Sequence, residues 1–159
     1  MADDVVVLTQ QMGRFDAHPG PPSRHLWPAT LAALAGESQH HPPVHPRTSK
    51  RHVDSMAAAA PAWSTFVRTA RPLRTIFVLE PFAPATAVTA IERVPATLAL
   101  PVLLRNRYGL VDTPPDARPA EFRHLAALLG QAAVYRTIRP DRPDTHVELV
   151  ELIQQVLGA

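Results

Sequence analysis

The stretch that decides the fold class of this chain is PLRTIFVLE, residues 72–80. Its interior, from Leu73 to Leu79, is mostly aliphatic or aromatic, and prolines stand on both sides of it at positions 72 and 81. A run of this kind between prolines is typical of a β-strand that ends at a turn or an edge. We therefore predict a strand over residues 73–79.

Two further segments have the character of strands. VVVL at residues 5–8 is a continuous apolar, β-branched run, typical of a strand buried on both faces, and the alternating residues 14–17 predict a return strand that completes a hairpin. AVYRTI at residues 133–138 alternates between polar and apolar side chains and predicts a third strand. We expect residues 5–8 to lie beside residues 73–79 in one sheet.

The segments around these strands predict helices. They are residues 28–34, residues 119–129 and residues 143–157. A further helical stretch begins at Pro84 with Val88, Ile91 and Val94 on one face, and we expect Pro95 and Pro101 to divide it into two or three pieces that end near residues 108–109. Strands separated by helices are typical of an α/β fold with a largely parallel sheet and helices packed outside it. The length of 159 residues fits one such domain, residues 1–159.

Composition excludes several classes of protein. The chain has no cysteine, which rules out disulfides, thiolate metal sites and a cysteine nucleophile. The net charge of +2 is spread along the chain without a basic run, so we expect no nucleic-acid partner. The acidic N-terminus does not resemble a signal peptide, and no apolar run approaches ~20 residues, so we expect a cytoplasmic protein without a membrane partner. An Arg-rich composition with Lys50 as the only lysine suggests a bacterial source.

Residues 37–62 predict a long loop that contains four histidines. They are His40, His41, His45 and His52. Four imidazoles in one loop could bind zinc or nickel. The alternative is an unliganded, proline-rich loop, since the spacing lacks the regular pairs of structural zinc sites.

Asp3 and Asp4 directly precede the predicted strand at residues 5–8. Phosphoryl-transfer enzymes use carboxylates at such a position to hold magnesium and to orient the attacking hydroxyl. The alternative interpretation is a solvated chain terminus.

Five short blocks of sequence follow one another in a characteristic order along the chain. They are ADDV at residues 2–5, LWP at 26–28, HPRTSKR at 45–51, PLRTIFVLE at 72–80 and AVYR at 133–136. In this order they resemble the HPr-kinase-like serine kinases, which include the C-terminal domain of HPr kinase/phosphorylase and kinases of bacterial peptide-modification clusters. The resemblance covers essentially the whole chain. It implies an α/β, P-loop-kinase-like sheet with flanking helices.

The resemblance also implies an activity and a site. Members of the family bind ATP and Mg²⁺ and phosphorylate a hydroxyl, commonly a serine of a protein or peptide acceptor. Asp3 and Asp4 match the acidic pair at the magnesium and at the acceptor hydroxyl. Lys50 and Arg51 match a basic block whose implied role is contact with phosphate or acceptor.

One element of the family pattern has no match in these residues. The family begins with a phosphate-binding loop of the form G-x-x-x-x-G-K-[ST], and no two of the six glycines have that spacing before the single lysine. The sequence therefore predicts a domain truncated at the N-terminus, without the Walker A part, and inactive as it stands. The alternative is a non-catalytic interaction protein derived from the same fold. A sheet that lacks its covering strand exposes an edge, so we also expect self-association into a homo-oligomer.

Overall fold

The computed structural model describes residues 6–35, 41–54, 66–106, 114 and 116–158. The chain divides into two compact units, Met1–Pro72 and Leu73–Ala159. Each unit combines β-sheet with helix, so the prediction of mixed α and β structure with helices beside sheets is confirmed. None of the described helices is long and apolar enough to cross a membrane.

The first unit contains five strands and one helix among its described residues. In chain order they are β1 (Val7–Gln11), β2 (Arg14–His18), β3 (Ser23–Leu26), α1 (Pro28–Ala35), β4 (Arg51–Asp54) and β5 (Arg71–Pro72). One sheet has the order β1-β2-β5 and the other pairs β3 with β4, and every pairing is antiparallel.

The predicted hairpin at the start of the chain is confirmed. Met12 and Gly13 connect β1 to β2, and their φ angles are 48° and 80°. Two consecutive positive φ angles are those of a type I′ turn, whose twist matches that of the two strands it joins. Glycine adopts this conformation without a steric penalty, and the Met12 side chain points fully into solvent.

Two predictions for the first strand are wrong. The segment is not buried on both faces, since Val7 is 60% exposed and Leu8 is half-buried. It also does not pair with residues 73–79, because β1 pairs with β2 across the short turn, with Val7 opposite His18, and β6 pairs with β8. A run of β-branched residues predicts a strand but does not select its partner, which here is the nearest segment in sequence. Residues 1–5 lie outside the described residues.

Among its described residues, the second unit contains a three-stranded sheet and three helices. Its elements are β6 (Thr75–Ala83), β7 (Ala90–Arg93), α2 (Ala96–Arg105), α3 (Arg118–Leu129), β8 (Ala133–Pro140) and α4 (Thr145–Gly158). The strand order is β6-β8-β7, with β6 parallel to β8 and β7 antiparallel to it. The sheet is therefore mixed, where the sequence predicted one that is largely parallel.

The central strand β8 is covered on both faces. Val134 is 2% exposed and Thr137 is 0% exposed, and their odd separation along the strand places them on opposite faces. The Thr137 hydroxyl donates a hydrogen bond to the Val78 carbonyl at 3.2 Å, which satisfies the buried polar group. Helical side chains complete the core of this unit, and they are Ala99, Leu103, Leu128 and Leu149.

The helix predicted from Pro84 is wrong in part. Residues 90–93 form β7, in which Ile91 pairs with Thr137 and Glu92 pairs with Arg136. The Arg136 guanidinium donates to the Glu92 carboxylate at 2.8 and 2.5 Å across this pair. Of the three apolar residues whose spacing suggested a helical face, only Ile91 lies within β7, and pairing with β8 decides for the strand. The helices predicted at residues 28–34, 119–129 and 143–157 are confirmed.

Candidate functional site

The basic block at residues 45–51 leads into an ordered β-ladder. β4 begins at the last residue of this block and pairs with β3, which places His25 opposite His52 and Leu26 opposite Arg51. The prediction of an uninterrupted loop over residues 37–62 is therefore wrong at residues 51–54. Val53 provides the physical reason, because its side chain is 1% exposed and anchors the strand in the core of its unit.

Backbone hydrogen bonds hold the block itself in a compact loop. The Val44 N–H donates to the Lys50 carbonyl at 3.0 Å, and the Thr48 N–H donates to the His45 carbonyl at 3.1 Å. The His45 ring and the Thr48 hydroxyl accept bonds from the Arg47 and Lys50 N–H groups at 3.1 and 3.2 Å. Side chains of this kind, which bond to nearby backbone groups, stabilise tight turns. The loop therefore presents its basic side chains from a defined backbone.

One face of this ladder combines a cation with aromatic rings, and we call it the Lys50 face. It consists of His25 and His52, which pair across the ladder, and of Trp27 and Lys50, which flank the two strands and contact each other. The Lys50 ammonium lies 5.5 Å from the centroid of the Trp27 ring, within range of a cation–π contact. The His25 and His52 rings are 5.7 Å apart at an angle of 43°. Trp27 is half exposed, so the face is open to solvent.

The sequence-predicted site residues have different positions. Arg51 alternates onto the opposite face of the ladder, the one that contains the buried Val53. Lys50 and Arg51 are adjacent in sequence, yet Lys50 contacts Trp27, whereas Arg51 shares its face of the ladder with Val53. Asp3 and Asp4 lie outside the described residues.

The histidines do not converge with other ligands within the described ranges. Over those residues, no group of three or more histidine, cysteine, aspartate or glutamate side chains is arranged to hold a metal ion. His40 lies outside the described residues, and His45 instead bonds to the loop backbone.

A second polar cluster lies in the second unit, and sequence reasoning missed it. The Arg142 guanidinium donates to both carboxylate oxygens of Glu148, at 2.7 and 2.6 Å, and the buried Thr89 hydroxyl donates to the same carboxylate. Thr89 precedes β7, and Glu148 lies in the first turn of α4, so the cluster joins this helix to the sheet. These residues are distant in sequence, and no local pattern links them.

The hydrogen bonds in this cluster shift the acidity of its members. Donation by Arg142, and then by Thr89, lowers the pKa of the Glu148 carboxyl below its usual value. The same contact raises the pKa of Arg142. The cluster is thus a charged clamp that is complete when Glu148 is ionised.

The clamp predicts a pH-dependent contribution to stability. Glu148→Gln should lower the midpoint of thermal unfolding by a few degrees at pH 7. The neutral glutamine amide has one acceptor oxygen, so it cannot accept the two charge-assisted hydrogen bonds that Arg142 donates to the carboxylate. A carboxyl with a lowered pKa in the folded state stabilises above its unfolded pKa, near ~4.3, and loses that effect as the pH falls through the folded pKa. The difference between variant and wild type should therefore shrink below about pH 4.

Thermal unfolding followed by circular dichroism from pH 7 to pH 3 measures this effect. Glu151→Gln is the matched control, since Glu151 is exposed on the same helix. A Glu148→Gln midpoint equal to that of the control at pH 7 would contradict the clamp.

A small pocket lies in the second unit where α2 begins. Its volume is about 270 Å³, and residues 93–96, Leu129 and residues 132–134 line it. Pockets for drug-sized ligands have volumes of about 300–1,000 Å³, so this pocket is too small to enclose a nucleotide triphosphate. The Lys50 face is the stronger candidate for a functional surface.

Comparison with protein-family models, with curated proteins and with solved structures finds no match to this chain.

Proposed function

We propose that this chain is a kinase-like protein of the HPr-kinase type, which acts in the transfer of a phosphoryl group from ATP to the hydroxyl of a serine in a protein or peptide. In this reaction the serine oxygen forms a bond to the γ-phosphorus, and the bond between that phosphorus and the β–γ bridging oxygen breaks. ADP leaves, and the hydroxyl proton passes to a carboxylate. Asp3 and Asp4 are assigned to Mg²⁺ and to this proton, as the family resemblance implies.

The observation that supports the proposal most directly is the ordered basic loop. The block that resembles the family, HPRTSKR at residues 45–51, coincides with the loop that the backbone hydrogen bonds hold and that ends at Lys50. An ammonium group with two neighbouring imidazoles suits an anion such as phosphate or an acidic acceptor segment. Lys50 contacts the half-exposed Trp27, whereas Arg51 shares its face with the buried Val53, so we assign the contact with the anion to Lys50.

The chain by itself should bind ATP·Mg²⁺ weakly. A glycine-rich loop and its lysine provide most of the phosphate contacts in P-loop proteins, and the 159 residues contain no such motif. Two carboxylates alone repel a triphosphate. Isothermal titration should therefore give a dissociation constant in the millimolar range or no measurable heat. A low-micromolar dissociation constant would require a different phosphate site within these residues.

Phosphoryl transfer itself is the test of the proposed function. A protein that joins a strand, a G-x-x-x-x-G-K-[ST] loop and a helix to these residues should transfer radiolabel from ATP to serine peptides. Lys50→Ala should reduce the transfer, and Lys50→Arg should retain more of it, since arginine keeps the charge. If the joined protein binds ATP·Mg²⁺ tightly but labels no hydroxyl in a diverse peptide pool, the proposal fails.

A second candidate function is that of a non-catalytic interaction protein. Strand β6 favours this function. The Leu79 and Phe82 residues are 59% and 62% exposed, and among the described strands β6 pairs with β8 alone. An interaction protein would show no labelling in the joined protein described above, and it would retain its binding partners after Lys50→Ala.

A further inference from the structure

Strand β6 has a backbone edge that can accept another strand. The Arg74 carbonyl, one residue before β6, accepts a hydrogen bond from the Ala133 N–H at 2.9 Å, and the Val78 carbonyl accepts one from the Thr137 hydroxyl. Alternate residues of a strand direct their backbone groups to opposite sides. Thr75, Phe77 and Leu79 therefore direct their N–H and C=O groups away from β8. Among the described strands, none pairs with that side.

Structural features limit how much of this edge is available. The register between β6 and β8 shifts between Leu79 and Phe82, which marks a β-bulge. Pro81 lies within the bulge and has no N–H to donate. Proline and bulges are the features with which natural proteins block sheet edges. The edge that can pair therefore ends after Leu79 and begins near Thr75.

The sequence of this edge is self-complementary. Residues 74–80 read Arg-Thr-Ile-Phe-Val-Leu-Glu, with a basic residue at one end and an acidic residue at the other. When two such segments run antiparallel with Phe77 opposite Phe77, Arg74 of each copy lies opposite Glu80 of the other. A two-fold axis at Phe77 then generates this charge pair twice. Opposite charges directly across a ladder stabilise it, whereas like charges destabilise it.

We propose that two copies of this chain associate through the outer edges of β6, antiparallel and centred on Phe77. The association joins two three-stranded sheets into one continuous sheet. Phe77 opposite Phe77 is then a hydrogen-bonded pair, as is each pair of Thr75 with Leu79, so all the outward N–H and C=O groups of these residues find partners. Within each copy Phe77 stacks on Tyr135 with ring centroids 5.5 Å apart, so the dimer brings four aromatic rings into one row.

The charge pattern selects this register over its neighbours. A shift of the two-fold axis by one residue, to Ile76 or Val78, removes both charge pairs and places Arg74 or Glu80 opposite an apolar side chain. Such a shift loses both Arg74–Glu80 pairs and forms no additional hydrogen bonds. The charges at the two ends of the segment therefore specify the register. The inference depends on the second unit alone and is independent of the proposed kinase function.

Charge reversal tests the pairing. Arg74→Glu makes both ends of the segment at residues 74–80 acidic, and Glu80→Arg makes both ends basic. In either variant the two attractive charge pairs of the dimer become repulsive. Each variant alone should therefore dimerise about tenfold more weakly than wild type, as measured by sedimentation velocity. An equimolar mixture of the two variants should associate as tightly as wild type, since every acidic end then meets a basic end. A monomeric wild type at all concentrations up to about 100 µM, or a mixture no tighter than the single variants, would overturn the proposal.

A disulfide test identifies the residue at the two-fold axis. The chain has no cysteine, so a single introduced cysteine can link only to another copy. Phe77→Cys should crosslink upon mild oxidation, because Cα atoms of a hydrogen-bonded pair lie about 5.5 Å apart, within the range that a disulfide spans. Leu79→Cys is the control, since the two Leu79 positions lie roughly 13 Å apart in this register. Crosslinking of Leu79→Cys as fast as Phe77→Cys would contradict the register, and circular dichroism of both variants checks that they are folded.

Discussion

Replacing Val134 with aspartate should unfold the second unit of this protein. Val134 is 2% exposed in the central strand, pairs with Ile76, and accepts a hydrogen bond from the Val94 N–H through its carbonyl at 2.8 Å. A carboxylate at this position has to be ionised without a partner or protonated in an apolar site, and either state costs several kcal/mol. That loss is comparable to the whole stability of a small domain, about 5–15 kcal/mol.

Circular dichroism measures the outcome, because α2, α3 and α4 belong to the second unit and their signal should be lost at 25 °C. Arg136→Ala is the matched control, two residues further along the same strand. Its side chain is about half exposed, and the loss of its ion pair with Glu92 should change the free energy of unfolding by about 1 kcal/mol or less. A Val134→Asp variant with a cooperative transition near that of the control would show that this strand is not at the centre of the core.

Asp4→Asn should abolish phosphoryl transfer in the protein that joins a phosphate-binding loop to this chain. Under the proposed function, the Asp4 carboxylate ligates Mg²⁺ or accepts the serine proton. The asparagine amide has the same shape but no negative charge, so it is a poor ligand for Mg²⁺ and cannot accept the proton. General-base contributions alone are about 10²–10⁴-fold, so the rate of radiolabel transfer should fall at least a hundredfold.

The controls separate chemistry from folding. Asp3→Asn should be comparably damaging if the two carboxylates share the metal, whereas Asp141→Asn, at an exposed position after β8, should leave the rate unchanged. Thermal midpoints of all three variants should stay close to wild type. Full activity in both Asp3→Asn and Asp4→Asn would refute the assignment of the acidic pair.

Local patterns in the sequence correctly predicted most of the elements. The hairpin of β1 and β2 follows from a β-branched run, a turn that contains glycine and an alternating return segment, all within a few residues of one another. Helix α4 follows from the periodicity of its apolar residues, and α3 follows from a proline at its start and a glycine at its end. These elements are determined by contacts close in sequence, so a single chain segment contains the information that specifies them.

Strand pairing could not be predicted in the same way. The run at residues 5–8 and the run at residues 73–79 both have strand character, and pairing between them was the natural expectation. The structure instead pairs β1 with β2 and β6 with β8. Residues 90–93 are a second example. The spacing of the apolar residues around them predicts a helix, but hydrogen bonds to the neighbouring strand β8 make them a strand.

The candidate site shows what only the tertiary structure decided. The sequence identified Lys50 and Arg51 as a basic pair, since they are adjacent in a block that resembles a kinase family. In the structure Lys50 contacts Trp27, whereas Arg51 lies in β4 on the face that contains Val53. Which residue contacts the aromatic ring depends on β3 and Trp27, about 25 residues away in sequence.

The sequence by itself thus determined the types of most elements, the absence of cysteine chemistry and the order of blocks that suggests a kinase, because each of these is a property of residue identity or local period. Tertiary structure decided the mixed sheet, the clamp of Arg142 on Glu148 with Thr89, and the side of β6 that remains open among the described strands. These features arise from contacts between residues that are far apart along the chain. The stability of these contacts depends on which elements pack against each other, and the local sequence pattern of one element does not specify its partner.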